Sequence, residues 1–224
     1  MKSLVLLSGG VDSTTALALA VRDYEEVIAL SVSYGQKHAR ELRAAENVAK
    51  FYKIPLKTID LNAVFADSDC VLLSNSEAEI PKESYGEQTA KTGGLTPVST
   101  YVPFRNGLFI STAAAVAISN GCEAVIYGAH ADDSAGSAYP DCSPEFAAAM
   151  NSALITGSGG GLKLSAPFVN MTKAEIVKLG VSLNVPYELT WSCYVGSDRP
   201  CGQCGTCIDR AAAFAAAGIK DPAI

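Results

Sequence analysis

Three observations predict an α/β fold in which helices cover a parallel sheet. An apolar run, Leu4-Val5-Leu6-Leu7, enters a Ser8-Gly9-Gly10 turn and leaves it as an Ala- and Leu-rich helix. The strand–helix alternation continues to Leu61, and such alternation builds parallel sheets with right-handed crossovers. Hydrophobic residues are 49% and charged residues 18% of the 224, enough for one good-sized core and too apolar for disorder.

Each element has its own signal. Lys2 to Leu7 reads as a buried strand and Ser13 to Arg22 as the first helix. Val27 to Tyr34 is apolar and β-branched, a second strand. Between His38 and Tyr52, the residues Ala39, Leu42, Ala45, Val48, Ala49 and Tyr52 recur at helical spacing. Pro55 to Leu61 is a third strand. From Asn62 to Thr100 the pattern fades into polar residues, Gly93-Gly94 and two prolines, predicting a long, partly irregular insertion. Loops of that length are usually functional or mobile. A helix follows over Arg105 to Asn120, a short strand over Ala124 to Tyr127, and a polar loop to Ser143. Ser143 and Pro144 open a helix to Ile155. Gly157 to Gly161 is a turn and Leu162 to Ala166 a strand. Thr172-Lys173-Ala174-Glu175 is a capping box that opens a helix to about Leu179. Asp209 to Ala217 is a terminal helix stopped by Gly218. No repeat or linker stands out, so 1–224 reads as a single domain with 190–224 as a cysteine-bearing C-terminal segment.

The glycine turn is the most specific local signal. Adjacent glycines allow a tight bend that presents N–H groups outward, and the following helix directs its positive dipole end to the same place. Together they suit a phosphate or pyrophosphate. The plain alternative is punctuation, with Ser8 or Asp12 capping the helix. The string lacks the Lys of a Walker loop and the Gly-x-Gly-x-x-Gly of a dinucleotide fingerprint.

Net charge is −6 and the basic residues are scattered, which disfavours a large nucleic acid as direct substrate. No apolar run approaches the ~20 residues of a membrane span. The first strand runs straight into the glycine turn without a cleavage site, so the expected location is the cytoplasm.

Of seven cysteines, Cys193, Cys201, Cys204 and Cys207 crowd into one segment. Four thiolates match a closed, structural Zn²⁺ site. A [4Fe–4S] cluster and a redox dithiol are the rival readings. Cys70, Cys122 and Cys142 are dispersed, and Cys142 reads as a small inert hydrophobe.

Other candidates are less specific. Arg105 opens a helix and suits bidentate phosphate or carboxylate recognition as well as a solvated role. Asp132, Asp133 and Asp141 follow a strand, where loops line the ligand crevice of an open α/β sheet. They could position Mg²⁺ or bond a base, and turn formation is their plain alternative. Lys173 sits in the first turn of a helix, an unfavourable place for a cation. That hints at a phosphate partner, although an exposed Lys is the expectation. His130 lies on the same strand-end loop as the aspartates, whereas His38 at a helix start reads as structural.

Ser8-Gly-Gly-x-Asp12-Ser13 resembles the PP-loop of the ATP pyrophosphatase superfamily. Four further strings follow it: Val102-Pro-Phe-Arg105-Asn106; Tyr139-Pro-Asp141-Cys142-Ser-Pro-Glu145-Phe146; Thr172-Lys173-Ala-Glu175; and the four cysteines. The series, spanning nearly the whole chain, resembles the 7-cyano-7-deazaguanine synthase family of queuosine biosynthesis. That resemblance implies a Rossmann-like, adenine nucleotide alpha hydrolase-like fold with a zinc-binding C-terminal appendage, usually homodimeric. It implies a ligase that uses ATP with Mg²⁺ and ammonia to turn 7-carboxy-7-deazaguanine into a nitrile through an activated carboxylate and an amide. Neither a nucleic acid nor a membrane is a direct partner in that reading.

Carried onto this chain, ATP would be bound by Leu7, Ser8, Gly9, Gly10, Val11, Asp12, Ser13, Thr14, Thr15, Ala16 and Leu17. Asp12, Ser13, Arg105 and Lys173 would be catalytic. Arg105, Asn106, His130, Tyr139 and Asp141 would bind the base, and Cys193, Cys201, Cys204 and Cys207 the zinc. Many members of the family carry Gly-Tyr-Pro-Asp-Cys-Arg where this chain has Ala138-Tyr139-Pro140-Asp141-Cys142-Ser143. If that Arg meets substrate, Arg105 or Lys173 must replace it. Two other readings are a tRNA-thiolating PP-loop enzyme, which would need a basic surface, and a nucleotide-sensing zinc module that binds ATP without turnover.

Overall fold

The computed structural model describes residues 1–37, 40–196 and 198–223. The predicted helix start at His38 and Ala39 lies outside them. Five strands, β1 (Lys2–Leu6), β2 (Glu26–Ser33), β3 (Leu56–Asp60), β4 (Ala124–Ile126) and β5 (Lys163–Ser165), pair in parallel in the order β3-β2-β1-β4-β5. The chain steps outward from β1 to β3 and then returns to the other side of β1. That reversal opens a crevice at the carboxyl ends of β1 and β4, where ligands bind in sheets of this type.

Strand alternation sends side chains into two apolar layers. Leu4, Ile28, Leu30, Val32 and Val125 meet α4 (Arg105–Ser119) through Ile110, Ala113 and Ala117, and α6 (Pro144–Gly157) through Ala147 and Leu154. Val5, Val27, Ala29 and Ile126 meet α1 (Val11–Asp23), α2 (Arg40–Tyr52) and α7 (Lys173–Ser182) through Leu17, Val48 and Ile176. The small Ala residues of α1, α2 and α4 let these helices lie close to the sheet.

The predicted irregular insertion contains a short helix, α3 (Tyr85–Thr92). Its N-cap Ser84 and Glu87 form a capping box, a signal present in the sequence and overlooked. The polar loop before Ser143 likewise holds a four-residue helix, α5 (Ala131–Ser134), and two 3₁₀ turns. The terminal helix, α8 (Gly205–Ala217), begins four residues earlier than predicted, so Cys207 lies within it. Residues 190–196 and 198–223 are woven into the fold. Phe214 is 2% exposed and packs with Tyr187, Val177 and Ala18. Arg210 forks onto Asp221 at 2.6 and 2.8 Å. No described helix is long and apolar enough to cross a membrane.

Candidate active site

Gly9 takes φ +84°, and a Cβ there would lie 2.5 Å from the Ala45 nitrogen and 2.7 Å from the Glu41 oxygen. Only glycine permits this approach of the turn to the first turn of α2. Neither Ser8 nor Asp12 caps α1; its N-cap, Gly10, has no side-chain bond to the helix. The turn is tied instead by Ser8 and Ser13, whose hydroxyls lie 3.0 Å apart. The helix end therefore keeps its N–H groups and dipole available to an anion. Gly128, at the end of β4, also stands close: a Cβ there would be 3.0 Å from the Asp12 carbonyl carbon.

A cavity of about 230 Å³ opens at the switch point. Its walls include Leu7, Ser8, Gly10, Asp12, Ser13, Arg105, Asn106, Tyr139 and Lys173 from among the expected residues. Thr14, Thr15, Ala16 and Leu17 stand behind it, at or near zero exposure in the core. Thr15 bonds the Val11 carbonyl and the Tyr187 hydroxyl instead of facing the cavity.

Lys173 departs from the exposed role expected of it. Its ammonium is 3.1 Å from Asp12 Oδ2, with the Lys side chain 12% exposed. The Lys173 amide donates to Asp132 at 2.8 Å, which fixes the start of α7 beside the turn. His130 is 2% exposed and lies outside the cavity wall, 3.6 Å from Asp12 Oδ2 and 3.3 Å from Asp133 Oδ2. Burial pushes the Asp12 carboxyl up, but Lys173 and His130 overcome that and hold it well below the ordinary carboxylate value. Burial likewise pulls His130 down, and Asp133 and Asp12 reverse the direction and raise it.

Arg105 anchors the other end. Its guanidinium lies over the Tyr34 ring at 5.1 Å and donates to the Tyr34 hydroxyl at 3.0 Å. Tyr139, Tyr85 and Tyr194 complete an aromatic basket there, with Tyr85 edge-on to Tyr139 at 5.3 Å. Asp141 is 3% exposed and lies outside the wall; it accepts the Asn106 amide at 2.9 Å and so closes the open end of α4 under Arg105. Cys142 is buried and receives the Asn106 side-chain amide at 3.2 Å. Ser143, at the position where an Arg was expected, caps α6 through the Phe146 amide at 3.1 Å. Sequence reasoning missed Tyr34, Tyr85, Glu41, Trp191 and Tyr194, because residues scattered over 160 positions carry no common spacing.

The four cysteine sulfurs lie within 4.8 Å of one another, a group able to hold a metal ion. Amides of Gly196 and Cys201 donate to Cys193 Sγ at 3.0 and 3.2 Å, and that of Cys204 to Cys201 Sγ at 3.3 Å. Amides aimed at sulfur favour thiolates, the form a metal binds. The cluster also anchors the strip Trp191–Tyr194, which crosses the turn by a Trp191 N–H to Gly9 O bond of 2.9 Å and walls the cavity.

The sequence profile of the family "Queuosine biosynthesis protein QueC" matches residues 2–218. A 7-cyano-7-deazaguanine synthase of Archaeoglobus fulgidus is 44% identical over 223 residues, covering 99% of this chain and 89% of that protein. One from Caldicellulosiruptor bescii is 43% identical over 222 residues, covering 99% and 96%. The solved NMN synthetase of Francisella tularensis shares the fold, with a TM-score of 0.52 at 19% identity over 97% of this chain and 77% of that one. The chain therefore belongs to the queuosine biosynthesis protein QueC family.

Proposed function

We propose that this member of an enzyme family converts 7-carboxy-7-deazaguanine, ammonia and ATP into 7-cyano-7-deazaguanine. The observation that carries the reading is a cavity with an anion-binding turn and Lys173 at one end and Arg105 in an aromatic basket at the other. A triphosphate suits the first end and a planar ring bearing a carboxylate suits the second.

A carboxylate is a poor electrophile because its leaving group would be oxide. One carboxylate oxygen therefore attacks a phosphorus of ATP, forming an O–P bond, while pyrophosphate or ADP leaves onto the turn amides. Ammonia then forms a C–N bond, the carbon–oxygen bond to AMP or phosphate breaks, and the nitrogen sheds its extra protons to give the amide. The amide oxygen is activated by a second ATP in the same way. Its departure as AMP or phosphate, with loss of the nitrogen's remaining protons, leaves the nitrile. Lys173 and the helix end stabilise charge developing on the phosphates. Asp12 holds Lys173 there, and Ser13 ties the turn. Arg105 orients the substrate carboxylate, and Asn106 and Asp141 position Arg105. Tyr139 supports the ring, and His130 acts on Asp12 from behind the wall. Mg²⁺ would accompany ATP as its counter-ion, and Asp133, a carboxylate on the cavity wall, could hold it.

The cysteine cluster is read as one structural Zn²⁺. Sulfurs tetrahedral about a single zinc at ~2.3 Å are ~3.8 Å apart; the Cys204–Cys193 and Cys201–Cys207 pairs stand at 4.0 Å. A four-iron cluster would hold its cysteines farther apart, since the metal atoms intervene. A homodimer in the cytoplasm, with no direct nucleic-acid partner, completes the reading.

Mass spectrometry of a reaction with ATP, ammonium and 7-carboxy-7-deazaguanine tests it. The amide should appear and then the nitrile, each step consuming ATP. ATP loss with the base unchanged would refute the assignment.

A further inference from the structure

Glu41 occupies the first turn of α2, the turn clamped against Gly9, so its backbone is fixed beside the phosphate site. Its side chain lines the cavity near Tyr34, Arg105 and Tyr194. Among the described residues its carboxylate takes no ion pair and no side-chain hydrogen bond. The oxygens of this half-buried acid are therefore free to accept donors from a ligand in the cavity.

The basket thus presents one cation, one anion and flat aromatic walls. A deazaguanine carboxylate is the complement: a planar ring, an anion on its five-membered side, and two parallel donors, N1–H and the exocyclic amine, on its six-membered side. A carboxylate accepts two parallel N–H groups at once. Adenine presents an acceptor at its ring N1 beside its amine, and would set a lone pair against the same carboxylate.

We propose that Glu41 is the specificity-determining residue that reads the 2-amino-4-oxo edge of the base, and that it keeps the adenine of ATP out of the basket. This rests on the reading of the cavity as a site for 7-carboxy-7-deazaguanine.

Steady-state kinetics on the full-length, metal-loaded protein test it. The probes are 7-carboxy-7-deazaguanine and the analogue lacking its 2-amino group, each with ATP and ammonium. Wild-type protein should disfavour the analogue by roughly 10- to 100-fold in kcat/KM, the loss expected for a hydrogen bond to a charged acceptor. Glu41→Ala should raise KM for the natural base by a similar factor, bring the two bases within about threefold of each other, and leave KM for ATP unchanged. Glu41→Gln keeps the shape but turns an amide N–H₂ toward the donors, so it should lose discrimination too, which covers a poorly folding Ala variant. Discrimination retained in Glu41→Gln, or an equal loss of kcat on both bases, would overturn the inference. Wild-type protein that fails to convert the natural base would overturn the functional reading itself, before any variant is made.

Discussion

Lys173→Met separates the structural part of the Asp12–Lys173 pair from its chemistry. The charges are 3.1 Å apart, with side chains 20% and 12% exposed. At an effective dielectric of ~20, unit charges at that distance attract by about 5 kcal/mol. Much of this is offset by the desolvation of both ions, and His130 still faces Asp12 at 3.6 Å. The net loss of stability should therefore be about 2 kcal/mol, which lowers Tm by roughly 4–8 °C for a chain of this length. Asp12 titrates below its ordinary value when folded, so this stability is present at neutral pH and fades as pH falls below about 4. Activity should fall further. Removing one preorganised charge from a developing oxyanion typically costs ~10²- to 10³-fold in kcat. Following ATP consumption and base conversion together, kcat should drop by that factor while KM for the base, set at the Arg105 end, stays within about threefold. The expected drop in Tm with kcat within threefold of wild type would refute the argument and leave Lys173 a structural partner only.

Three other outcomes follow from the geometry. Gly9→Ala forces a Cβ to within 2.5 Å of the Ala45 nitrogen at φ +84°, so it should cost more than about 2 kcal/mol and most of the ATP turnover; a soluble, fully active variant would contradict the packing of the turn. Glu41 titrates near 7 in the fold, above its ordinary value near 4.5. Its contribution is present at low pH and is lost as pH rises through that window, so Glu41→Gln should gain Tm on wild type between pH 5 and pH 8, and a relative loss there would be the wrong sign. Elemental analysis should find about one zinc per chain, and Cys201→Ser should lower both the metal content and Tm; iron with a visible absorption band would replace the zinc assignment.

Much of the architecture was legible because short-range rules govern it. The glycine turn between an apolar run and an Ala-rich helix, the capping box at Thr172, and the cysteine spacing each express local chemistry that no distant contact needs to complete. Boundaries drifted where tertiary packing extends a helix, as at Gly205, where the N-cap is Cys204 of the metal-binding group. The Ser84 capping box went unread because the residues around it are polar and aperiodic.

The sequence by itself determined the kinds of chemistry this chain can hold: an anion-binding turn, a four-thiolate site and a parallel sheet to carry them. Tertiary structure alone decided which side chains share a space. The return of β4 to the far side of β1 sets Lys173 against Asp12, far away in sequence, and folds Arg105, Glu41 and five tyrosines around one cavity. It also moved His130 and Asp141 behind the wall, into supporting roles. Spacing along a chain encodes hydrogen bonds within a turn, but the meeting of distant side chains depends on strand order, which is settled only when the two apolar layers close over the sheet.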